Sequence, residues 1–215
     1  MIARIAHFRF PSLEHRYEAE RNGSQRVGPS LARKKGFQAI YYGRIGELEA
    51  CSISLFDSRE AAEAAGIQMN AEPLIEGQQP DMLPTPVSVI FHHVERSLVR
   101  DLVPTAGSLG HLKVAPGMDE RSVAPWNAAF AEMLEGVPGL CQAFLLKELD
   151  SAKWITLTFW TNIESLKNGS AAIRSWQASE ACAGRPPAFV GTEPSVLTDL
   201  RLAIAGVPST MPTPV

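Results

Sequence analysis

Ser54-Leu55-Phe56-Asp57-Ser58-Arg59-Glu60 returns later in the chain as Thr158-Phe159-Trp160-Thr161-Asn162-Ile163-Glu164. Ile5-Ala6-His7-Phe8-Arg9-Phe10 returns as Leu109-Gly110-His111-Leu112-Lys113-Val114, and both pairs are 104 residues apart. One spacing shared by two pairs, with apolar and polar classes in register, implies a structural unit used twice. In each copy a period-2 strand pattern gives way to a helix start. Asp57 with Glu60, and Thr161 with Glu164, have the spacing of a capping box.

Working outward, residues 2–10 alternate as a strand, and residues 12–34 read as a helix kinked near Asn22-Gly23 and Gly28-Pro29. Strands follow at 37–42 and about 48–56, then a helix to about Asn70. A proline-rich loop spans 71–86, and a fourth strand covers 87–98. The second half repeats the order: strand 107–114, helix 119–135, strands 141–147 and 153–160, helix 162–182, strand 195–204. Strand, helix, strand, strand, helix, strand is the ferredoxin-like split βαβ arrangement. The expected fold is therefore α+β: two tandem ferredoxin-like units, residues 1–100 and 101–205, packing sheet to sheet, with a flexible tail at 206–215. Helices cover one face of such a sheet, so the second copy is the expected cover for the other.

At 215 residues each half is large enough for its own core. The apolar fraction of 45% and net charge of −3, with acids and bases interspersed, exclude the basic footprint of a nucleic-acid binder. No apolar run approaches the roughly 20 residues needed to cross a bilayer, and the first residues lack a signal-peptide core. Cys51, Cys141 and Cys182 have no metal-like spacing and read as reduced thiols of a cytoplasmic protein.

Alternation assigns side chains to faces. Ile155, Leu157 and Phe159 share one face of their strand; Trp154, Thr156, Thr158 and Trp160 share the other. The first half gives Cys51, Ile53 and Leu55 against Ser52, Ser54 and Phe56. The apolar rows are expected under the helices, and the hydroxyl and aromatic rows toward a cavity between the sheets. His7 and Arg9, matched by His111 and Lys113, are expected to point into that same space. The candidate catalytic residues are thus His7, His111 and Trp160. The candidate substrate contacts are Arg9, Ser54, Phe56, Lys113, Trp154, Thr156 and Thr158. The bland alternative is that the histidines face solvent at a rim and the threonines form an ordinary half-wet sheet face. Phe56 opposite Trp160 in the repeat predicts unequal pockets.

Pro138-Gly139-Leu140, the strand Trp154–Trp160 and the capped start Thr161-Asn162-Ile163-Glu164-Ser165-Leu166 together resemble the antibiotic biosynthesis monooxygenase type of dimeric α/β barrel. Gly36-Phe37 and Ser54–Glu60 keep the outline in the first half, with Phe56 in place of the strand-end Trp. The resemblance implies a two-subunit assembly fused into one chain. It also implies oxidation of an aromatic substrate by molecular oxygen with no cofactor, with Trp160 near the substrate. Haem-degrading members use a histidine on the second helix, and residues 58–70 and 162–182 contain none.

His92 and His93 are adjacent on a strand and point to opposite faces, so they make a poor chelating pair, and no metal is expected. Two functions remain open. One is a monooxygenase-like enzyme for a small aromatic or polycyclic substrate. The other is a non-catalytic module that binds an apolar ligand or assembles through its sheet edges, with a homodimer as a further possibility.

Overall fold

The computed structural model describes residues 1–115, 120–151, 153–182, 189–191 and 194–204. The tail expected at 206–215 lies outside them, as does most of the segment 183–194. The elements are β1 (Ile2–Arg9), α1 (Leu13–Asn22), a π-helical segment (Gly23–Val27), α2 (Gly28–Leu31), β2 (Phe37–Arg44), β3 (Glu49–Phe56), α3 (Arg59–Ala71), a 3-10 turn (Pro80–Met82) and β4 (Ser88–Val99). There follow β5 (Ala106–Val114), α4 (Glu120–Glu135), β6 (Leu140–Glu148), β7 (Trp154–Trp160), α5 (Ile163–Cys182), β8 (Phe189–Gly191) and β9 (Ser195–Ile204). No helix among the described residues is long and apolar enough to cross a membrane.

The chain forms two compact units: Met1–His93 with Asp199–Val215, and Val94–Thr198. Strands β4 and β9 each divide their residues between the two. In the first unit the neighbours run β4–β1–β3–β2, with β9 beside β2. In the second they run β9–β5–β7–β6, with β4 beside β6. This is the fourth-first-third-second order of a ferredoxin-like sheet, and the α+β fold class is as the sequence predicts.

Local details repeat as well. The pairing shifts by one residue between Phe37 and Ala39 in the first unit and between Leu140 and Gln142 in the second. Gly36 and Gly139 precede these bulges at φ +78° and +73°, the left-handed region that glycine enters without strain. Each accepts an equivalent bond: Asp57 N–H donates to Gly36 O at 2.8 Å, Thr161 N–H to Gly139 O at 2.9 Å.

The expected helix 12–34 is three pieces. Pro29 has no N–H to donate, so a regular α-helix cannot run through it, and the backbone passes through a π-helical turn just before. The caps are also one residue off the expected boxes. Ser58 accepts from Ala61 N–H at 3.2 Å and Asn162 from Ser165 N–H at 2.8 Å, while Asp57 accepts instead from the Gln38 amide.

The face assignment on β3 and β7 is reversed. Phe56 packs with Leu31, Ala62 and Ala65 of the helices, and Trp160 with Leu134 and Leu166. The serine, threonine and aromatic rows therefore lie beneath the helices, and the rows Cys51–Ile53–Leu55 and Ile155–Leu157–Phe159 turn away from them. Both faces are buried, so alternation of polarity does not say which one a helix covers. Alanines and a glycine decide it: α3 presents Ala62 and Ala65, and a Cβ at Gly169 of α5 would collide with the Trp160 ring.

Candidate functional site

Strand pairing fixes which candidates meet. On β1, Arg4 and Ala6 lie opposite Ser54 and Ser52, whereas His7 lies opposite Cys51 and Arg9 opposite Glu49. On β5, Ser108 and Gly110 lie opposite Thr158 and Thr156, whereas His111 lies opposite Ile155. Opposed residues share a face. His7, Arg9, His111 and Lys113 are therefore on the face away from the helices, and Ser54, Phe56, Trp154, Thr156, Thr158 and Trp160 are on the helix face. The two sets of candidates are not brought together within either unit. Arg9 is exposed and paired with Glu49 at 2.7 Å; His111 and Lys113 are exposed, and His7 is half-buried.

In the second unit the helix face holds a cavity of about 160 Å³ between α4 and strands β4, β6 and β7. Leu98, Phe130, Leu134 and Ala143 form its apolar walls, Thr156 and Thr158 supply hydroxyls, and the exposed Arg96 and Glu135 stand at its edge. Thr158 is the centre of a short chain. Trp160 Nε1–H donates to Thr158 Oγ1 at 2.9 Å, and Ser108 Oγ lies 2.9 Å from the same atom. The indole can only donate, so Thr158 accepts from it and keeps its own proton for Ser108 or for a ligand. Trp160 itself is 1% exposed and packed in the core. It orients Thr158 and does not line the cavity. Trp154 is also buried, with the Lys147 ammonium 5.5 Å from its ring centroid.

The far end of α4 is held by one side chain. The Arg100 guanidinium donates to the carbonyls of Leu134 (3.0 Å), Val137 (3.0 Å) and Leu140 (3.2 Å), and also to that of Glu135. Leu134 and Glu135 close α4, while Val137 and Leu140 follow it; Leu134 O also accepts from Val137 N–H at 3.1 Å, and a cation suits the negative end of the helix dipole.

The first unit has a cavity in the matching place, of about 80 Å³, between the sheet and α1 with its π-helical continuation. Phe8, Phe10, Val27 and Ile40 wall it, and Ser52, Asn22 and Glu20 add polar groups. The difference in size has a cause at β2. Ile40 and Tyr42 pair with Ser54 and Ser52, where Ala143 and Leu145 pair with Thr158 and Thr156. The larger side chains fill the first cavity. Glu20, 2% exposed, is clasped by Arg44 at 2.8 and 3.0 Å, with Arg16 Nε at 3.4 Å. Cys51 is a buried thiol pushed up to about 12 by burial, so it is no nucleophile at neutral pH. Among the described residues no cluster of three or more His, Cys, Asp or Glu could hold a metal ion.

The sequence reading missed the helix and β4 contributions to the larger cavity: Phe130 and Leu134, four apart on α4, and Leu98. The helical spacing of the first two was a readable signal of a buried stripe. What the stripe would bury was not.

No family model and no curated protein matches the sequence. Solved structures do match in fold. A provisionally assigned monooxygenase from Fusobacterium nucleatum subsp. nucleatum ATCC 25586 is 11% identical at TM-score 0.67, covering 98% of this chain and 97% of that one. One from Lactobacillus acidophilus NCFM is 15% identical at TM-score 0.60, covering 97% and 98%. An anthrone oxidase-like protein is 16% identical at TM-score 0.54, covering 96% of each chain. The likeness spans both units and is one of fold: the chain has the dimeric α/β barrel fold of these structures.

Proposed function

We propose that the chain is a monooxygenase-like enzyme that oxidises a small phenolic arene with molecular oxygen, binding the ring in the cavity beneath α4. The observation that carries this reading is the cavity itself: apolar walls, a phenyl ring at Phe130 and an oriented hydroxyl at Thr158. About 150 Å³ accommodates one benzene-sized ring, so a cavity of about 160 Å³ suits a single ring. A polycyclic substrate would extend through the edge marked by Arg96 and Glu135. The neighbours described as monooxygenases and as anthrone oxidase-like support the reaction class, oxygen insertion. In its balanced form a ring CH2 becomes C=O; one atom of O2 enters the product, and the other leaves as water with the two hydrogens. Thr158 would hold the phenolic oxygen and Phe130 would stack on the ring. His7 and His111 share no face with this cavity and have no contact role in this reading.

A second reading, a non-catalytic aromatic-binding module, is favoured by one observation. The titratable side chains lining the cavity among the described residues are Arg96 and Glu135, and both are exposed. Oxygen uptake with anthrone-like and monocyclic phenols separates the two. The enzyme reading expects uptake in the wild type, reduced tenfold or more by Thr158→Val and by Phe130→Ala. Saturable binding with no uptake would establish the module instead.

A further inference from the structure

Arg4 is the exception among the arginines drawn into the first unit. Arg16 and Arg44 pair with Glu20, Arg21 with Glu18, Arg59 with Glu63, and Arg26 donates to the carbonyls of Met69 and Glu72. Arg4 is half-buried on the helix face of β1 and makes no hydrogen bond or ion pair among the described residues. Its pKa is lowered, with burial as the cause. Its cross-strand neighbours are Ser54 on one side and Phe91 on the other. Ser54 is 2% exposed, and its hydroxyl likewise has no partner among the described residues. The corresponding pair in the second unit, Ser108 and Thr158, is bonded at 2.9 Å. In the first unit a guanidinium and a hydroxyl stand where that bonded pair stands, and neither is among the fully buried polar atoms that lack a partner, so both are open to an incoming ligand.

We propose that Arg4 and Ser54 form a carboxylate-binding site in the first unit, for a small acid with an apolar body. A guanidinium binds a carboxylate through two parallel N–H bonds, and the serine hydroxyl supplies a third donor. Phe56 and Phe91 furnish apolar surface on the same face. Ser52, two residues along β3 from Ser54, belongs to the lining of the cavity walled by Phe8, Val27 and Ile40. The acid's body lies in that cavity, and its carboxylate extends along the sheet to Arg4. The two units then select by charge: an anion in the first, a neutral ring in the second.

The test is titration of the whole chain with sodium butyrate, whose propyl body suits a cavity of about 80 Å³, and with 1-butanol as its neutral counterpart. The expected result is butyrate binding that Arg4→Met weakens tenfold or more, with 1-butanol affected by less than about twofold. Arg4→Lys should fall between wild type and Arg4→Met. No butyrate binding by the wild type, or equal binding by Arg4→Met, would each overturn the proposal. Butyrate binding lost in Phe130→Ala but kept in Arg4→Met would place the acid in the other unit, with the same consequence.

Discussion

Gly169 and Trp160 are a matched pair, and the repeat shows why. The residues in the same places of the first unit are Ala65 and Phe56. A larger ring goes with the absent Cβ, and a smaller ring with alanine, because the ring packs directly against the helix. Gly169→Ala should therefore destabilise the chain by about 1–3 kcal/mol, despite alanine's better helix propensity. Adding Trp160→Phe should recover most of that loss in urea unfolding. A Gly169→Ala chain as stable as wild type would contradict the packing described. At this scale the sequence was partly legible. Trp160 stood out as the strand-end aromatic, but its partner did not, since a helical glycine has several meanings until its neighbour is known. The same ambiguity misled the reading of Ser54 and Thr158, whose hydroxyls suit a wet face and a bonded, covered face equally well.

Among the elements, α4 forms one wall of the larger cavity, and its end depends on Arg100. Arg100→Ala removes the side-chain donor from the Glu135, Val137 and Leu140 carbonyls, while Leu134 O keeps the Val137 N–H, and should cost about 1–3 kcal/mol. Amide hydrogen exchange should rise in the last turn of α4, and affinity for a ring bound beneath it should fall. Unchanged exchange there would show that water or the following turn already satisfies those carbonyls. The elements themselves were legible nearly throughout, because alternation, prolines and polar caps mark their ends. What composition could not give was the side of β3 and β7 that each helix covers. The residues of α3 and α5 that settle it are small and carry little pattern of their own.

At the scale of the molecule, the expected boundary at residue 100 falls beyond the place where the chain passes from one compact unit to the other, between His93 and Val94. The end of β9, from Asp199 to Ile204, returns to the first unit, beside β2. A fragment of residues 1–100 should therefore lack the cooperative unfolding and far-ultraviolet circular dichroism of its part of the full chain. A fragment that melts cooperatively would show that β9 is dispensable to the first sheet. The repeat made the fold class legible, since matching halves point to matching sheets. It could not reveal that the last strand divides its residues between the two units, because a long strand reads the same wherever its ends are shared.

That division of β9 has a consequence for biosynthesis. The edge of β2 is complete by Arg44, but the residues that cover it begin at Asp199. At roughly 5–20 residues per second, the ribosome leaves that edge open for about 8–30 seconds. A nascent chain of this kind carries an open edge on a strand of largely apolar residues, Phe37 to Tyr42, paired on its other side with β3, while the second unit is being made. The half synthesised first is thus the half finished last, and aggregation during synthesis should respond to changes at the carboxyl end of β9 more than its position at the end of the chain would suggest.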